Sequence, residues 1–290
     1  MENLPLITIG VSTYNRKDYL KQSLDSLLAQ TYPNCEIIVI DDGSTDDTGE
    51  MVKACYPQVK YVYQENAGDS AAKNHAASIG SGKYVVFNDS DDVFLPDAVE
   101  RLFKALPENE ENACSYGSYI TIDPENNELP TKRKTATLPS GRITGDLIRH
   151  ILVNCTATLM PRQLFLANGG LGSVRQVAAD YSCFLKLSLL ANFYAVQEPV
   201  FLRRHHGGNL SAASYSKQLK VLTVLEDFLQ KHPQIEAEFS ETVRARRAVL
   251  HSKLCREARK EKRSAEAAEH ARMAYKYNPS IKNFFRKIFC

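Results

Sequence analysis

KYVVFNDSDDVFLPD, Lys83 to Asp97, is the stretch whose reading decides the fold. Tyr84 to Phe87 form an unbroken apolar run that ends on Asn88, Asp89, Ser90, Asp91 and Asp92. A short apolar run closed by turn residues is the pattern of a strand buried on both faces. Its polar end raises a question of charge. Carboxylates this close in sequence repel by roughly 1 kcal/mol per pair in water, and by more where water is scarce. Asp and Ser favour turns, so a solvated turn is one explanation. A cation that removes the repulsion is the other.

Upstream the same pattern recurs. LITIGVS (Leu6–Ser12) and EIIVIDD (Glu36–Asp42) read as buried strands, and VKYVYQ (Val59–Gln64) as a third strand. Between them, YLKQSLDSLLAQ carries Leu20, Leu24, Leu27 and Leu28 at helical spacing. A second helix follows Ser44 and Asp46, both suited to an N-cap. SAAKNHAASI (Ser70–Ile79) is a short third helix, and another is expected from about Asp97 to Ala105. Strands alternating with helices predict a parallel sheet covered on both faces. Such sheets bind ligands at the carboxyl ends of their strands. STYNR, DDGSTDD and NDSDD all fall on that edge.

Beyond Cys114 the pattern loosens. DPENNELPTKRKT reads as a polar loop or hairpin tip whose basic run is a solvated face. ATLMPRQLFLANGGL and DYSCFLKLSLLANF resume helical patterning. From Tyr215 onward the chain predicts helices rich in Ala, Glu, Lys and Arg. SAEAAEHARMAYKYNP resembles half of a helical-repeat unit, but one copy is not an array.

A chain of 290 residues suggests one large domain or a domain with an appendage. A net charge of +2 gives no field that argues for nucleic acid. The seven cysteines contain no CxxC pair, which argues against a zinc site or a disulfide framework. Reduced thiols in the cytoplasm are the expectation. MENLPLITIG lacks the basic region of a signal peptide. No apolar stretch approaches the roughly 20 residues that span a bilayer.

In an extended chain, side chains two apart point to the same side, so Asp89 and Asp91 are expected to converge. Two hard oxygen ligands suit Mg²⁺ or Mn²⁺, with water and phosphate completing the shell. Such a cation neutralises a diphosphate leaving group.

VSTYNRKDYLKQSLDSLLAQTYPNCEIIVIDDGSTDDT (Val11–Thr48) and QENAGDSAAKNHAASIGSGKYVVFNDSDDVFLPD (Gln64–Asp97) together resemble the family 2 glycosyltransferases of the GT-A fold. The resemblance is nearly unbroken over the first hundred residues and patchier to about residue 212. It implies an α/β architecture: a GT-A (Rossmann-like), mostly parallel sheet flanked by helices, with a C-terminal helical extension. The implied domains are 1–212, split into a nucleotide-binding half (1–112) and an acceptor-binding half (113–212), and the extension 213–290.

The resemblance also assigns roles. Thr13, Tyr14, Asn15 and Arg16 line the nucleotide base, with Tyr14 suited to stacking on uracil. Asp41 and Asp42 read base and ribose, and Asn66 and Gly68 lie in a loop near the nucleotide. Lys73 and Asn74 stand where the family often has Arg-Asn. A lysine keeps the charge but loses the bidentate geometry for a diphosphate. Asp89, Ser90 and Asp91 match the metal-binding DxD, with Asp91 the first ligand, Asp89 assisting, and Asp92 structural. Asp180, after the Gly-Gly loop, falls at the place of the general base; Ala179 replaces the usual neighbouring Glu. Arg204, His206 and Asn209 match an R-x-H-x-x-N ending, in which His206 ligates the metal or meets the diphosphate.

The activity so implied is inverting transfer from a nucleotide-diphosphate sugar, expected to be a UDP-sugar, to an acceptor hydroxyl. Bacterial cell-surface polysaccharide or glycan synthesis is the expected setting. The expected cofactor is Mn²⁺ or Mg²⁺, and the expected acceptor a glycan or a lipid-linked molecule, with no nucleic acid. A sugar-phosphate nucleotidyltransferase is the rival enzyme, but it needs a Gly-rich loop after the first strand and STYNRKD has no glycine. A non-catalytic GT-A binding protein is the other rival; losing Asp91 or Asp180 would have favoured it, and both are present. SIKNFFRKIFC at the C-terminus sets Phe284, Phe285, Ile288 and Phe289 on one helical face among cations. That predicts peripheral contact with the inner face of the cell membrane, or a subunit contact through the C-terminal helices.

Overall fold

The structure, a computed structural model, describes residues 4–130, 137–172, 178–206 and 214–280. The readings placed on the 132–134 basic run, on Asn209 and on the tail from residue 281 lie outside them. The first half runs β1 (Ile7–Thr13), α1 (Lys17–Leu28), β2 (Cys35–Asp41), α2 (Thr48–Cys55), β3 (Lys60–Tyr63), α3 (Asp69–Ile79), β4 (Tyr84–Asp89), β5 (Val93–Phe94), α4 (Ala98–Lys104) and β6 (Ala113–Ile122). The second runs α5 (Thr144–Arg149), β7 (Thr158–Pro161), α6 (Arg162–Ala167), α7 (Ala179–Leu187), β8 (Asn192–Arg204), α8 (Tyr215–Lys231), α9 (Pro233–Glu238), α10 (Ser240–Lys260) and α11 (Ser264–Tyr277).

The chain divides into two compact units. One comprises Met1–Ile143, Val153–Arg175 and Leu187–Gly208, the other Thr144–Leu152, Gln176–Lys186 and Asn209–Cys290. This grouping differs from the expected boundary near residue 212, because segments 144–152 and 176–186 fall with the helices of the second unit.

The first unit is built on one sheet of order β3-β2-β1-β4-β7-β6-β8-β5. β3, β2, β1 and β4 are mutually parallel, as the alternation predicts. All seven residues of β1 are buried. Alternate residues of β2 serve opposite faces, as the two-residue period of a strand requires. Ile37 and Val39 pack in the cluster that holds Leu20, Leu24 and Val52 of α1 and α2. Ile38 and Ile40 pack with Ala72 and Ala76 of α3. Register sets Thr13 beside Asp41 and Ser12 beside Asp89, so the polar clusters share one edge.

Past β4 the sheet becomes mixed. β7 is antiparallel to β4 and β6, β8 runs parallel to β6, and β5 pairs antiparallel with β8. These strands stand where the sequence pattern loosens. The helical reading of ATLMPRQLFLANGGL resolves into β7 followed by α6, and that of DYSCFLKLSLLANF into α7 followed by the start of β8. Their pattern is weak for a structural reason. The β6–β8 ladder shifts register around Gly117 and Ser118, and a side chain at Gly117 would collide with Val200. Bulged, glycine-bearing strands lose clean alternation.

In the second unit, α8 opens with Ser214 accepting a hydrogen bond from Lys217 N at 3.3 Å, an N-cap. Val221, Leu222, Leu225, Phe228 and Leu229 form its buried stripe. Arg247 of α10 joins α8 and α9 by bonding Glu226 at 2.6 Å and Glu236 at 2.5 Å. No described helix is long and apolar enough to cross a membrane.

Candidate active site

The edge formed by the ends of β1, β2 and β4 carries the polar clusters. At the β1 end, Asn15 takes the left-handed conformation, φ +50°, which asparagine tolerates better than most residues. Its Oδ1 accepts from Thr45 N at 2.7 Å, and its own N–H donates to Ser44 Oγ at 2.9 Å. The loops after β1 and β2 are thereby tied together. Tyr14 is 49% exposed, an aromatic face held at the strand ends without a core to fill. Thr13 Oγ1 is buried and has no hydrogen-bond partner among the described residues.

Asp41 and Asp42 are both buried. Asp41 accepts from Ser44 N at 2.8 Å and from Tyr61 Oη at 2.7 Å. Burial and that bond together push the Tyr61 phenol above its usual range. Asp42 Oδ1 accepts from Gln64 Nε2 and Ala67 N, and Oδ2 from Gly68 N, each at 2.8 Å. Gly68 has φ +97°, a conformation that glycine alone adopts readily. Asn66 is exposed beside it. Asn74 Oδ1 accepts from Leu171 N at 2.9 Å, which fixes the Gly-Gly loop to α3.

The acidic run answers the question its sequence poses. Each carboxylate has its own means of compensation within the protein. Lys73, 3% exposed, reaches Asp89 at 2.5 Å and Asp69 at 2.8 Å. Desolvation raises the Asp89 carboxyl, but Lys73 and a bond from Thr156 more than offset it and hold the group below its usual range. Desolvation opposes the charge on Lys73 too, and the two carboxylates override it, so its pKa rises well above the usual value. Asp91, 6% exposed, places Oδ2 at 2.7 Å from Arg16 Nη1 and at 2.8 Å from His206 Nε2. Asp92 is the third case: burial and the charges on Asp89 and Asp91 push its carboxyl well above the carboxylate range. It accepts from Arg204 N at 3.0 Å. Ser90 is buried between these groups.

Arg204 is 1% exposed. Its guanidinium bonds Asp91 O, Asp123 O, Pro124 O, Asn126 Oδ1 and Gln22 Oε1 at 2.8–3.2 Å. It also lies over the Tyr19 ring at 5.0 Å, and that ring stacks on His206 at 5.3 Å. Tyr19, Asp69 and Gln64 escaped the sequence reading. The i,i+4 spacing of Asp69 and Lys73 was the available signal for one of them; nothing local marks the others.

Asp180 belongs to the second unit, in the first turn of α7, where its Oδ1 accepts from Tyr181 N at 2.8 Å. Among the described residues no three His, Cys, Asp or Glu side chains cluster as a metal cage. The donors that converge are two, Asp91 Oδ2 and His206 Nε2. That pair could supply two donors to a divalent cation, with diphosphate and water completing its shell.

The sequence model of the family described as glycosyl transferase family 2 matches residues 8–165. The chain is 30% identical over 223 residues to chondroitin synthase of Pasteurella multocida strain Pm70, covering 76% of this chain and 23% of that protein. It is 30% identical over 223 residues to hyaluronan synthase of Pasteurella multocida, covering 76% and 22%. The chain thus spans about a quarter of the length of these curated relatives. Among solved structures it resembles Staphylococcus aureus TarS 1–349 in complex with UDP-GlcNAc, with TM-score 0.62 and 15% identity over 98% of this chain and 88% of that one. It also resembles the mannosyltransferase PcManGT from Pyrobaculum calidifontis in complex with GDP-Man and Mn²⁺, with TM-score 0.61 and 16% identity over 98% and 79%. At such identities the structural likeness speaks for the fold, which is the expected GT-A fold.

Proposed function

The chain belongs to glycosyl transferase family 2, and from that premise we propose that it transfers a sugar with inversion from a UDP-sugar to an acceptor hydroxyl in polysaccharide synthesis. The observation that carries the reading is the buried Asp91 carboxylate shared by Arg16 and His206 at the end of β4. A carboxylate held by one guanidinium and one imidazole makes a locus where a diphosphate and its counter-ion exchange partners with the protein. The names of the solved neighbours support a nucleotide-diphosphate sugar as donor, since TarS was captured with UDP-GlcNAc and PcManGT with GDP-Man.

In this reading Tyr14 stacks on the base, and the hydrogen-bonded turns around Asp41 and Asp42 hold the loops that read base and ribose. Asn15, Asn66, Gly68 and Asn74 shape those loops. Asp91 and His206 would hold Mn²⁺ or Mg²⁺, with Asp89 and Ser90 beside them. The cation, when bound, supplies charge neutralisation of the departing diphosphate. Arg16, released from Asp91, turns its guanidinium to phosphate oxygens. Lys73 and Arg204 are positioning residues: Lys73 fixes Asp89, and Arg204 fixes the chain at Asp91 and Asp92. Asp180 takes the proton from the acceptor hydroxyl as it attacks the anomeric carbon.

UDP binding by calorimetry and UDP-sugar hydrolysis, each with and without Mn²⁺, test this. Wild-type protein is expected to bind and hydrolyse in a metal-dependent manner. Asp91→Asn is expected to lose both while its circular dichroism is unchanged. Near wild-type turnover of Asp91→Asn in Mn²⁺ would remove Asp91 from the site.

A further inference from the structure

Helix α10 carries cations that no acid among the described residues answers. Arg246 is 5% exposed, and among the described residues neither it nor Lys253 has a carboxylate partner. The residues outside the described set add one acidic side chain, Glu2. The adjacent Arg247, by contrast, holds two glutamates. A buried cation is ordinarily paired, so Arg246 stands out.

The companion of Arg246 is the Tyr181 hydroxyl, on a side chain 1% exposed. The guanidinium and the hydroxyl lie against each other, yet neither Tyr181 Oη nor Arg246 Nε completes a well-formed hydrogen bond. Both atoms are donors left over in a buried place. Arg246, Leu250 and Lys253 follow the four-then-three spacing of one helix face. Burial and the nearby guanidiniums of Arg246 and Arg256 pull the Lys253 ammonium below its usual range. Uncompensated positive charge beside unused donors is an environment built for an oxyanion, and a guanidinium presents the forked geometry that carboxylate and phosphate accept.

We propose that Arg246, Lys253 and the Tyr181 hydroxyl form a binding site for an anionic group of the acceptor, a phosphate or a carboxylate. The proposal rests on the transferase reading, because Tyr181 directly follows Asp180, the base, in the first turn of α7. One residue apart on a helix, Asp180 and Tyr181 turn to different faces, so the charged group held at Tyr181 and Arg246 lies on a different part of the acceptor from the hydroxyl that reaches Asp180.

Thermal unfolding of the full chain tests the site, with inorganic phosphate or acetate titrated at constant ionic strength in saturating UDP and Mg²⁺. UDP keeps the anion from the donor edge, and each variant is compared with its own anion-free midpoint. One of the two anions at tens of millimolar is expected to raise the wild-type midpoint by about 3–5 °C, and which one does so names the acceptor's charged group. Arg246→Gln is expected to abolish the rise, and Lys253→Gln and Tyr181→Phe to at least halve it, with UDP affinity within twofold of wild type. No rise in wild type with either anion, or equal rises in wild type and Arg246→Gln, overturns the proposal. If Arg246→Gln does not fold, an unchanged rise in Lys253→Gln overturns it instead. A wild-type rise that Arg246→Gln abolishes, in protein that fails to bind UDP, upholds the anion site and removes the donor reading; UDP binding without any rise does the reverse.

Discussion

Lys73 shows how one residue is read differently in sequence and in structure. Its position suggested a phosphate contact, but its ammonium is buried between Asp69 and Asp89. Lys73→Met removes the only cation either carboxylate is paired with among the described ion pairs. Asp69 and Asp89 are 47% and 41% exposed, so water recovers part of the loss. The expected cost is about 1–3 kcal/mol, below the full penalty for breaking a buried pair. Urea unfolding measures it; a midpoint equal to wild type would mean the lysine does not hold Asp89. UDP affinity is expected to fall as well, through misplacement of the β4 end. Asp180 is a residue of another kind, the proposed general base. Asp180→Asn is expected to cut turnover by at least about 10²-fold, the low end for loss of a general base, at unchanged donor affinity. Single-turnover kinetics at saturating donor separate the two quantities, and weakened UDP binding with normal turnover would take the base role from it.

Among the elements, α10 and α11 meet through titratable groups. His251 Nδ1 and His270 Nδ1 are 3.0 Å apart, and His270 Nε2 lies 3.0 Å from Tyr215 Oη. Burial, with the neighbouring His270 second, pulls His251 down to about 4. Burial lowers His270 too, against the pull of Glu269 and Glu266. The folded pair therefore stays neutral at a pH where the unfolded chain takes up protons. Their stabilising contribution is complete above the unfolded value near 6.5 and is lost as pH falls from there toward about 4. A shift of this size corresponds to roughly 3 kcal/mol. Urea midpoints at pH 7.5 and 5.0, followed by far-UV circular dichroism, are expected to show about 2 kcal/mol of that loss, and His251→Phe to flatten it. An equal pH slope in wild type and variant would assign the acid sensitivity elsewhere. The same scale shows what sequence reveals. β1 to β4 were legible because each is a continuous apolar run closed by polar residues, and their ends delivered Thr13, Asp41 and Asp89 to one edge. β6 to β8 were not, because Gly117 and the shift around it replace alternation with a fit to Val200. Tyr19 and Arg204 join through space across 185 residues of chain, a distance no periodicity reports.

For the whole molecule, the division into units bears on what can be separated. The sequence resemblance suggests a catalytic domain ending near residue 212, with helices appended. The structure instead interleaves the two units, since segments 144–152 and 176–186 group with α8 to α11. α5 packs on α10, and Gly145 lies against the Phe239 ring, so close that an added side chain would collide with it. Leu147, Ile148, Tyr181, Phe184 and Leu185, from α5 and α7, are all buried. A chain truncated after Ala213 keeps α5 and α7 and loses the helices they group with. Exposing even two or three of these side chains costs on the order of 5 kcal/mol, comparable to the whole stability of many domains. The truncated chain is therefore expected to aggregate or bind a hydrophobic dye, where a chain ending at residue 280 elutes as a single species. The candidate base Asp180 sits in a segment that would be stranded, so activity is expected to vanish with it. Size-exclusion chromatography, dye binding and UDP calorimetry on the two lengths decide the matter. A truncated chain that unfolds cooperatively, stays dye-free and binds UDP as tightly as the longer one would show that the catalytic part stands alone and that the helices are an appendage after all.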